Sequence, residues 1–512
     1  MTEKYLIGID IGTTGCKSVV VDYEGNIAGS TFSGYPLVTP RPGWAEQDPA
    51  QWWIGVRLSL AELLKNSGIT PHDIAAVGLS GQMHGLVALD SDFRVLRPAI
   101  LWNDQRAETQ CDFIHEKVGG VQQLLRLTNN RMLPGYTGGK ILWMRENEPE
   151  LYEKTRYVLN PKDYIRYLLT GEIATEVSDA SGTGLFDVKQ RRWSDTLLEL
   201  LDIPKERLPQ CFESTEITGK ITREASEQTG LVESTPVVGG GGDAVIQTTG
   251  MGIVGPGVLG IILGSGGVVA VALTSFHENT DGRLQIFCNN ERELWHVMGV
   301  TLAAGGSLRW YRDTLSEAQK EKASQEGRDV YEVLDELAAA APAGSRGLLF
   351  LPYLIGERCP HVDPRARGAF IGIGLHHGRS ELTRSILEGV SFSLLDVFGL
   401  LRPMMGRIEE IRISGGGSVS QLWRQIIADV FQQPVAVVRG SREGGAFGAA
   451  LVAGVGIGIW SNLEEATHVL RIENRNEPNR NAKDIYEKLY EVYHGLYNAL
   501  KPAHDSLSST EK

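Results

Sequence analysis

Apolar residues in this chain gather into short runs broken by glycine, and two of these runs match. The first is Leu6-Ile7-Gly8-Ile9-Asp10-Ile11. It meets Gly12-Thr13-Thr14-Gly15 and gives way to Cys16-Lys17-Ser18-Val19-Val20-Val21. The second is Val258-Leu259-Gly260-Ile261-Ile262-Leu263, then Gly264-Ser265-Gly266-Gly267, then Val268-Val269-Ala270-Val271. Each predicts a strand, a tight turn and a second strand. In register, Gly8 meets Gly260, Gly12 meets Gly264, Thr13 meets Ser265 and Gly15 meets Gly267. The offset of about 250 residues is the size of a large domain. It predicts a duplicated lobe, 1–254 and 255–512, parted at Val254-Gly255-Pro256-Gly257 where Pro and Gly break the pattern.

Other periodicities fill in an α/β pattern. Asp48 followed by Pro49 predicts a capped helix start at Ala50-Gln51-Trp52-Trp53, with Trp52, Trp53 and Trp423 read as packing residues. Ile74 to Leu79 predicts a buried strand ending at Ser80-Gly81. Leu422, Ile426 and Val430 share one helical face. Tyr486, Leu489, Tyr493, Leu496 and Leu500 predict an amphipathic helix over Ile485–Leu500, with a frayed polar tail from Asp505 to Lys512.

At 512 residues the chain has room for two large cores, and a net charge of −13 without a long basic run argues against a nucleic-acid binder. The five cysteines, Cys16, Cys111, Cys211, Cys288 and Cys359, are scattered, which fits a reducing cytoplasm better than a disulfide framework. The longest apolar stretch, Val258–Leu273, is interrupted by its own turn, so no membrane span is predicted.

Turns of glycine and hydroxyl residues suit phosphate, because the bare backbone lets an anion approach amide and hydroxyl donors. Two such turns in register suggest a nucleotide gripped from both lobes. Two look-alikes are rejected. Gly250–Gly255 matches GxGxxG but leads into Pro256-Gly257 and a strand, and Gly135–Lys140 is one residue short of a P-loop with Ile141 in place of the hydroxyl. Asp10 interrupts an apolar strand, so its carboxylate needs compensation, either from backbone amides or from a hydrated Mg²⁺ on phosphates. Asp243 follows Gly239-Gly240-Gly241-Gly242 and reads as a helix N-cap or as a general base. His84, between Met83 and Gly85 at a strand end, is placed for a cleft. Trp102 reads equally as core or as an apolar wall.

Longer motifs carry a resemblance. Gly135-Tyr136-Thr137-Gly138-Gly139-Lys140-Ile141-Leu142-Trp143-Met144 and Gly368-Ala369-Phe370-Ile371-Gly372-Ile373, the latter followed by Glu381–Glu388, stand without gaps. Trp44–Pro49, Gly81-Gln82-Met83-His84-Gly85, Leu101-Trp102-Asn103-Asp104 with Arg106, and Leu351-Pro352-Tyr353 with Gly356-Glu357-Arg358 add to them. From Tyr5 to Gly454 the chain resembles the FGGY carbohydrate kinases of the actin-like ATPase superfamily. The resemblance implies two ribonuclease H-like α/β lobes with an interlobe cleft, and ATP-dependent phosphorylation of a ketopentose, xylulose first. It implies Asp243 as general base, Met83, His84, Trp102 and Asp104 on the sugar, and Asp10 on Mg²⁺. It also implies Thr13, Thr14, Ser265 and Gly266 at the ATP phosphates, and Gly305 with Gly415-Gly416-Gly417 at the nucleotide, the triplet close to adenosine. A homodimer is a further expectation. Members acting on xylulose usually carry Asn directly after the base, whereas this chain has Ala244. Ribulose, erythrulose or gluconate are therefore alternative acceptors. An ATP-switched filament protein or a phosphohydrolase on the same scaffold would need no sugar pocket, and Met83, His84 and Asp243 together argue against both.

Overall fold

Both glycine–hydroxyl turns are hairpins. Tyr5–Ile11 pairs antiparallel with Gly15–Asp22, closing at Ile11 opposite Cys16. Val258–Leu263 pairs antiparallel with Gly267–Leu273, closing at Leu263 opposite Gly267. The computed structural model describes residues 4–508. The chain forms two compact units, and the chain break between them follows Gly255, within the Pro/Gly stretch expected to part the lobes. The units are not continuous, however. The first also takes in Ala272–His296 and Gly440–Leu470, and the second holds Pro256–Val271, Val297–Arg439 and the stretch from Arg471 on.

In the first unit the strand order is Ile217–Lys220, Pro236–Val238, Ile74–Gly81, Tyr5–Ile11, Gly15–Asp22, Ile27–Gly34. Ile74–Gly81 runs parallel to Tyr5–Ile11. The helix Pro49–Ser67, capped by Asp48 Oδ1 on Ala50 N at 3.0 Å, covers one face through Trp52, Val56, Leu60 and Leu63. The other face is covered by Gly445–Gly456, an Ala- and Gly-rich helix from the first unit's late Gly440–Leu470 stretch. Small side chains let helix and sheet approach closely, and Gly8 and Gly78 face the carbonyls of Ala446 and Ala449 where no Cβ would fit.

The second unit repeats this plan, with Glu410–Ser414 parallel to Val258–Leu263 and Val435–Val438 beyond it. The repeat extends past the hairpin, because Asp10 stands opposite Ser80 in the first sheet and Ile262 stands opposite Ser414 in the second. Leu79-Ser80-Gly81 and Ile413-Ser414-Gly415 are thus equivalent strand ends, matched in sequence as well as in register.

The C-terminal helix runs over Lys483–Ser508, through Pro502 and beyond the expected end at Leu500. Tertiary ion pairs override the proline signal, with Lys501 Nζ on Asp363 at 3.2 Å and Arg365 on Asp505 at 2.9 Å. Residues 505–508 of the expected frayed tail are helical, and 509–512 lie outside the described residues. All five cysteines are free thiols. Among the described residues no helix is long and apolar enough to cross a membrane.

Candidate active site

Three strand ends meet in the first unit. Gly241 and Gly242 pair in parallel with Ser80 and Gly81, which in turn lie beside Asp10 and Ile11. Residues about 70 and 160 positions apart in sequence are therefore neighbours at the carboxyl ends of parallel strands, the usual place for chemistry in an α/β sheet. Asp243 follows directly as the first residue of the helix Asp243–Gly250. It is not the N-cap, a position taken by Gly242. Its carboxylate instead accepts the backbone N–H of Ala244 at 2.8 Å and that of Met83. Burial raises the Asp243 carboxyl to about 7, and the negative charge of Asp10 adds to the rise against those two bonds.

A buried polar scaffold aims this carboxylate. Arg166 donates to Val238 O at 2.7 Å and to Gly239 O, and Ser178 Oγ accepts Gly242 N at 3.0 Å. Asn290 Nδ2 bridges Ser178 and Ser214. None of these residues is flagged by motif, since each acts through the backbone of the glycine run.

His84 and Trp102 reach the same region. His84 Nδ1 lies 2.6 Å from Gly182 O, and Trp102, 43% exposed, is not a core residue. Its indole donates to Thr13 Oγ1 at 2.9 Å, and Thr13 in turn donates to Gln82 Oε1 at 3.2 Å. The Thr13 hydroxyl thus ties the first glycine–hydroxyl turn to the Gln82 run and spends its proton inside the protein, while Thr14 is exposed at the turn tip. Met83, 2% exposed, packs its side chain against Gly182 and Gly242, and its link to the site is the amide on Asp243. Asp104 departs furthest from the expected direct contact. It is 0% exposed, with both oxygens engaged by Arg106 at 2.9 and 2.8 Å and by Ala45 N at 2.6 Å. The guanidinium lies 3.6 Å over Trp44. Asp104 braces the Trp102 loop from behind because a buried carboxylate needs its full partner set.

The second unit gathers its expected residues around a cavity of about 660 Å³ lined by Ser265, Gly305, Gly416 and Gly417. Ala304 N and Gly306 N both donate to Ser265 O, at 2.8 and 2.9 Å, which docks the start of the helix Gly305–Leu315 onto the turn. Gly266 adjoins Thr301, and Gly415, with φ 86°, lies against Leu263 O. Arg309, Tyr331, Asp335 and Val419 also line it and carry no local sequence signal, and Trp423, read as a packing residue, is buried in the same wall. Glu357, quoted above only as part of a run, accepts Thr301 Oγ1 at 2.6 Å and Leu302 N at 3.0 Å, and so holds the loop before Gly305.

Asp10 accepts a hydrogen bond from Ser80 Oγ at 2.6 Å, and burial raises its carboxyl from the ordinary value. Two carboxyl groups whose charges oppose one another, Asp10 and Asp243, fit a hydrated divalent cation. Among the described residues no cluster of three His, Cys, Asp or Glu is placed to hold a metal. A Mg²⁺ ion here would complete its shell from water and phosphate.

Two sheets built on one plan, each with a glycine–hydroxyl turn, a buried carboxylate at the strand ends of the first unit and a cavity of about 660 Å³ in the second are what a phosphotransferase requires. The models of the FGGY family of carbohydrate kinases match on both halves, the N-terminal domain over residues 5–250 and the C-terminal domain over 259–457. A xylulose kinase of Bacillus subtilis is 37% identical over 99% of this chain and 100% of its own length. A gluconokinase of the same organism is 30% identical over 99% and 98%. The crystal structure of a xylulose kinase from Brucella ovis superposes with a TM-score of 0.88 at 34% identity, covering 98% of this chain and 100% of that one. The chain belongs to the FGGY family of carbohydrate kinases, and it is a sugar kinase.

Proposed function

We propose that this kinase transfers the γ-phosphoryl group of ATP to a hydroxyl of a ketopentose, D-xylulose first, with Asp243 as the general base. The observation that carries the reading is the buried Asp243 carboxylate, held by the amides of Ala244 and of Met83, the latter next to His84 in the chain, with burial pushing it up to about 7. A base titrating near neutrality can take the hydroxyl proton as the bond to phosphorus forms. The sugar lies against His84 and Trp102, and the Ser265–Gly305–Gly416 cavity takes the nucleotide. Asp10 would hold Mg²⁺, which when bound neutralises charge on the phosphates. In a loose phosphoryl-transfer transition state the protein's part is mainly to position and to exclude water, so rigid placement of Asp243 matters more than its basicity alone.

Xylulose is favoured by the relatives' names, which belong to those proteins. A sugar acid is the second reading, favoured by Ala244 and by the 30% identical gluconokinase. An amide missing next to the base leaves one acceptor hydroxyl unmatched, and such mismatches discriminate strongly. ADP release measured over D-xylulose, D-ribulose, erythrulose and D-gluconate decides between them. D-xylulose is expected to show the highest kcat/KM, and a higher value on gluconate replaces this reading with the second.

The pH dependence follows from the same carboxyl. Protonated Asp243 cannot accept a proton, so activity is lost on the acid side of its pKa of about 7. kcat/KM for the sugar is expected to climb about tenfold per pH unit up to that value and then level off. A profile that stays flat down to about pH 5 would remove Asp243 from the base role.

A further inference from the structure

The Gly135–Met144 run packs beneath the residues placed at the sugar. Its lysine is wholly buried at the start of the helix Thr137–Asn147. Lys140 Nζ donates to His84 O at 2.8 Å and to Gly135 O at 2.6 Å. Thr137 Oγ1 donates to the same His84 carbonyl at 3.0 Å. His84 has φ 69°, a left-handed conformation that a residue with a Cβ keeps only where its surroundings impose it. Tyr136 stacks on the imidazole, centroids 4.5 Å apart and planes 26° apart. Gly135 lies so close to Trp102 that a Cβ would stand 2.3 Å from its carbonyl oxygen. One short segment thus bears on both residues assigned to the sugar.

A lysine that served only as core filler would be replaced by an apolar side chain without loss, because burying an ammonium is costly. Here the charge is spent on carbonyls at a strained turn. Desolvation pulls the ammonium down to about 7, against the pull of the nearby Asp104 carboxylate. We propose that Lys140 is a positioning residue for the sugar: with Thr137 it locks the His84 backbone in its left-handed conformation and fixes the direction of the imidazole. The proposal deepens, and rests on, the reading that His84 contacts the sugar.

A double-mutant cycle on the full chain tests it, with Lys140→Met, His84→Ala and the double variant assayed for sugar KM, kcat and ATP KM. Lys140→Met is expected to raise the D-xylulose KM roughly ten- to a hundredfold, the range of a charge-assisted hydrogen bond. The ATP KM stays within about twofold, and in the His84→Ala background the same change adds less than about twofold. A sugar KM unmoved by Lys140→Met, equal rises in both KM values, or full additivity with His84→Ala would each overturn the lock while leaving the sugar site in place. An unchanged sugar KM in His84→Ala alone would instead bring down the sugar-site reading, and the lock with it. If Lys140→Met does not fold, Thr137→Val removes the second donor to the same carbonyl. It is expected to raise the sugar KM by about threefold to tenfold, again not additively with His84→Ala, and an unmoved KM in that variant overturns the proposal.

Discussion

Asp243→Ala is expected to bind sugar and ATP normally and to turn over roughly 10²–10⁴-fold more slowly, the usual worth of a positioned general base. The loss falls on kcat, because the carboxylate acts as the proton moves and not in ground-state binding. Stability should move the other way. The folded chain holds this carboxyl at about 7 and the unfolded chain near 3.8, so between those values the folded state keeps a proton that the unfolded state has released. Stability from this group is present below about pH 4 and is lost as pH rises through 7. The variant lacks the group, so its melting temperature at pH 8 should equal or exceed that of the parent, with the difference vanishing near pH 4. Turnover in Asp243→Ala close to the parent value would sink the assignment. A variant that loses sugar binding together with turnover would make Asp243 a binding group instead.

Gly8→Ala is expected to unfold the first unit at a markedly lower temperature. A Cβ at Gly8 would lie 1.8 Å from Ala446 O and 2.9 Å from Ala450 N, backbone atoms of the helix on the sheet. Helix and strand must part to admit it, which loosens the packing of Leu6, Val19, Ala76 and Leu451 along the same face. Overpacking on this scale belongs to the rare substitutions that cost about 4–5 kcal/mol. That corresponds to a fall of roughly 6–8 °C for a unit of this size. Gly399→Ala, with open space around the added methyl in the helix Arg379–Leu401, makes the contrast. It should leave the protein unchanged or stabilise it by about 0.5–1 kcal/mol. Differential scanning calorimetry of both variants reads the comparison, and a Gly8→Ala shift no larger than that of Gly399→Ala would contradict the close helix–sheet contact.

Much of this was legible because it is local. The two hairpins follow from apolar runs and glycine turns, and the Pro49–Ser67 helix follows from its Asp48 cap. The strand Ile74–Gly81 follows from its unbroken apolar run. What escaped depends on pairing between distant segments. Nothing near Gly241 says that it will lie beside Ser80, and nothing in the amphipathic stretch Asp329–Asp335 marks it as cavity wall. Motif residues also carry internal duties that no motif spells out. Thr13 donates its hydroxyl to Gln82, Met83 gives an amide to Asp243, and Asp104 is held by Arg106 under Trp102. Family motifs name positions under constraint, and burial then decides whether the constraint concerns contact or support.

The Gly445–Gly456 helix has a consequence for how the protein is made. It closes a face of the first sheet, but it leaves the ribosome some 200 residues after that sheet's last strand. At ordinary synthesis rates the face formed by Leu6, Val19, Val21 and Ala76 stays uncovered for roughly 10–40 s, while the second unit is still being translated. The first unit cannot finish folding as an independent nascent domain. Its completion is coupled by chain order to the synthesis of the other.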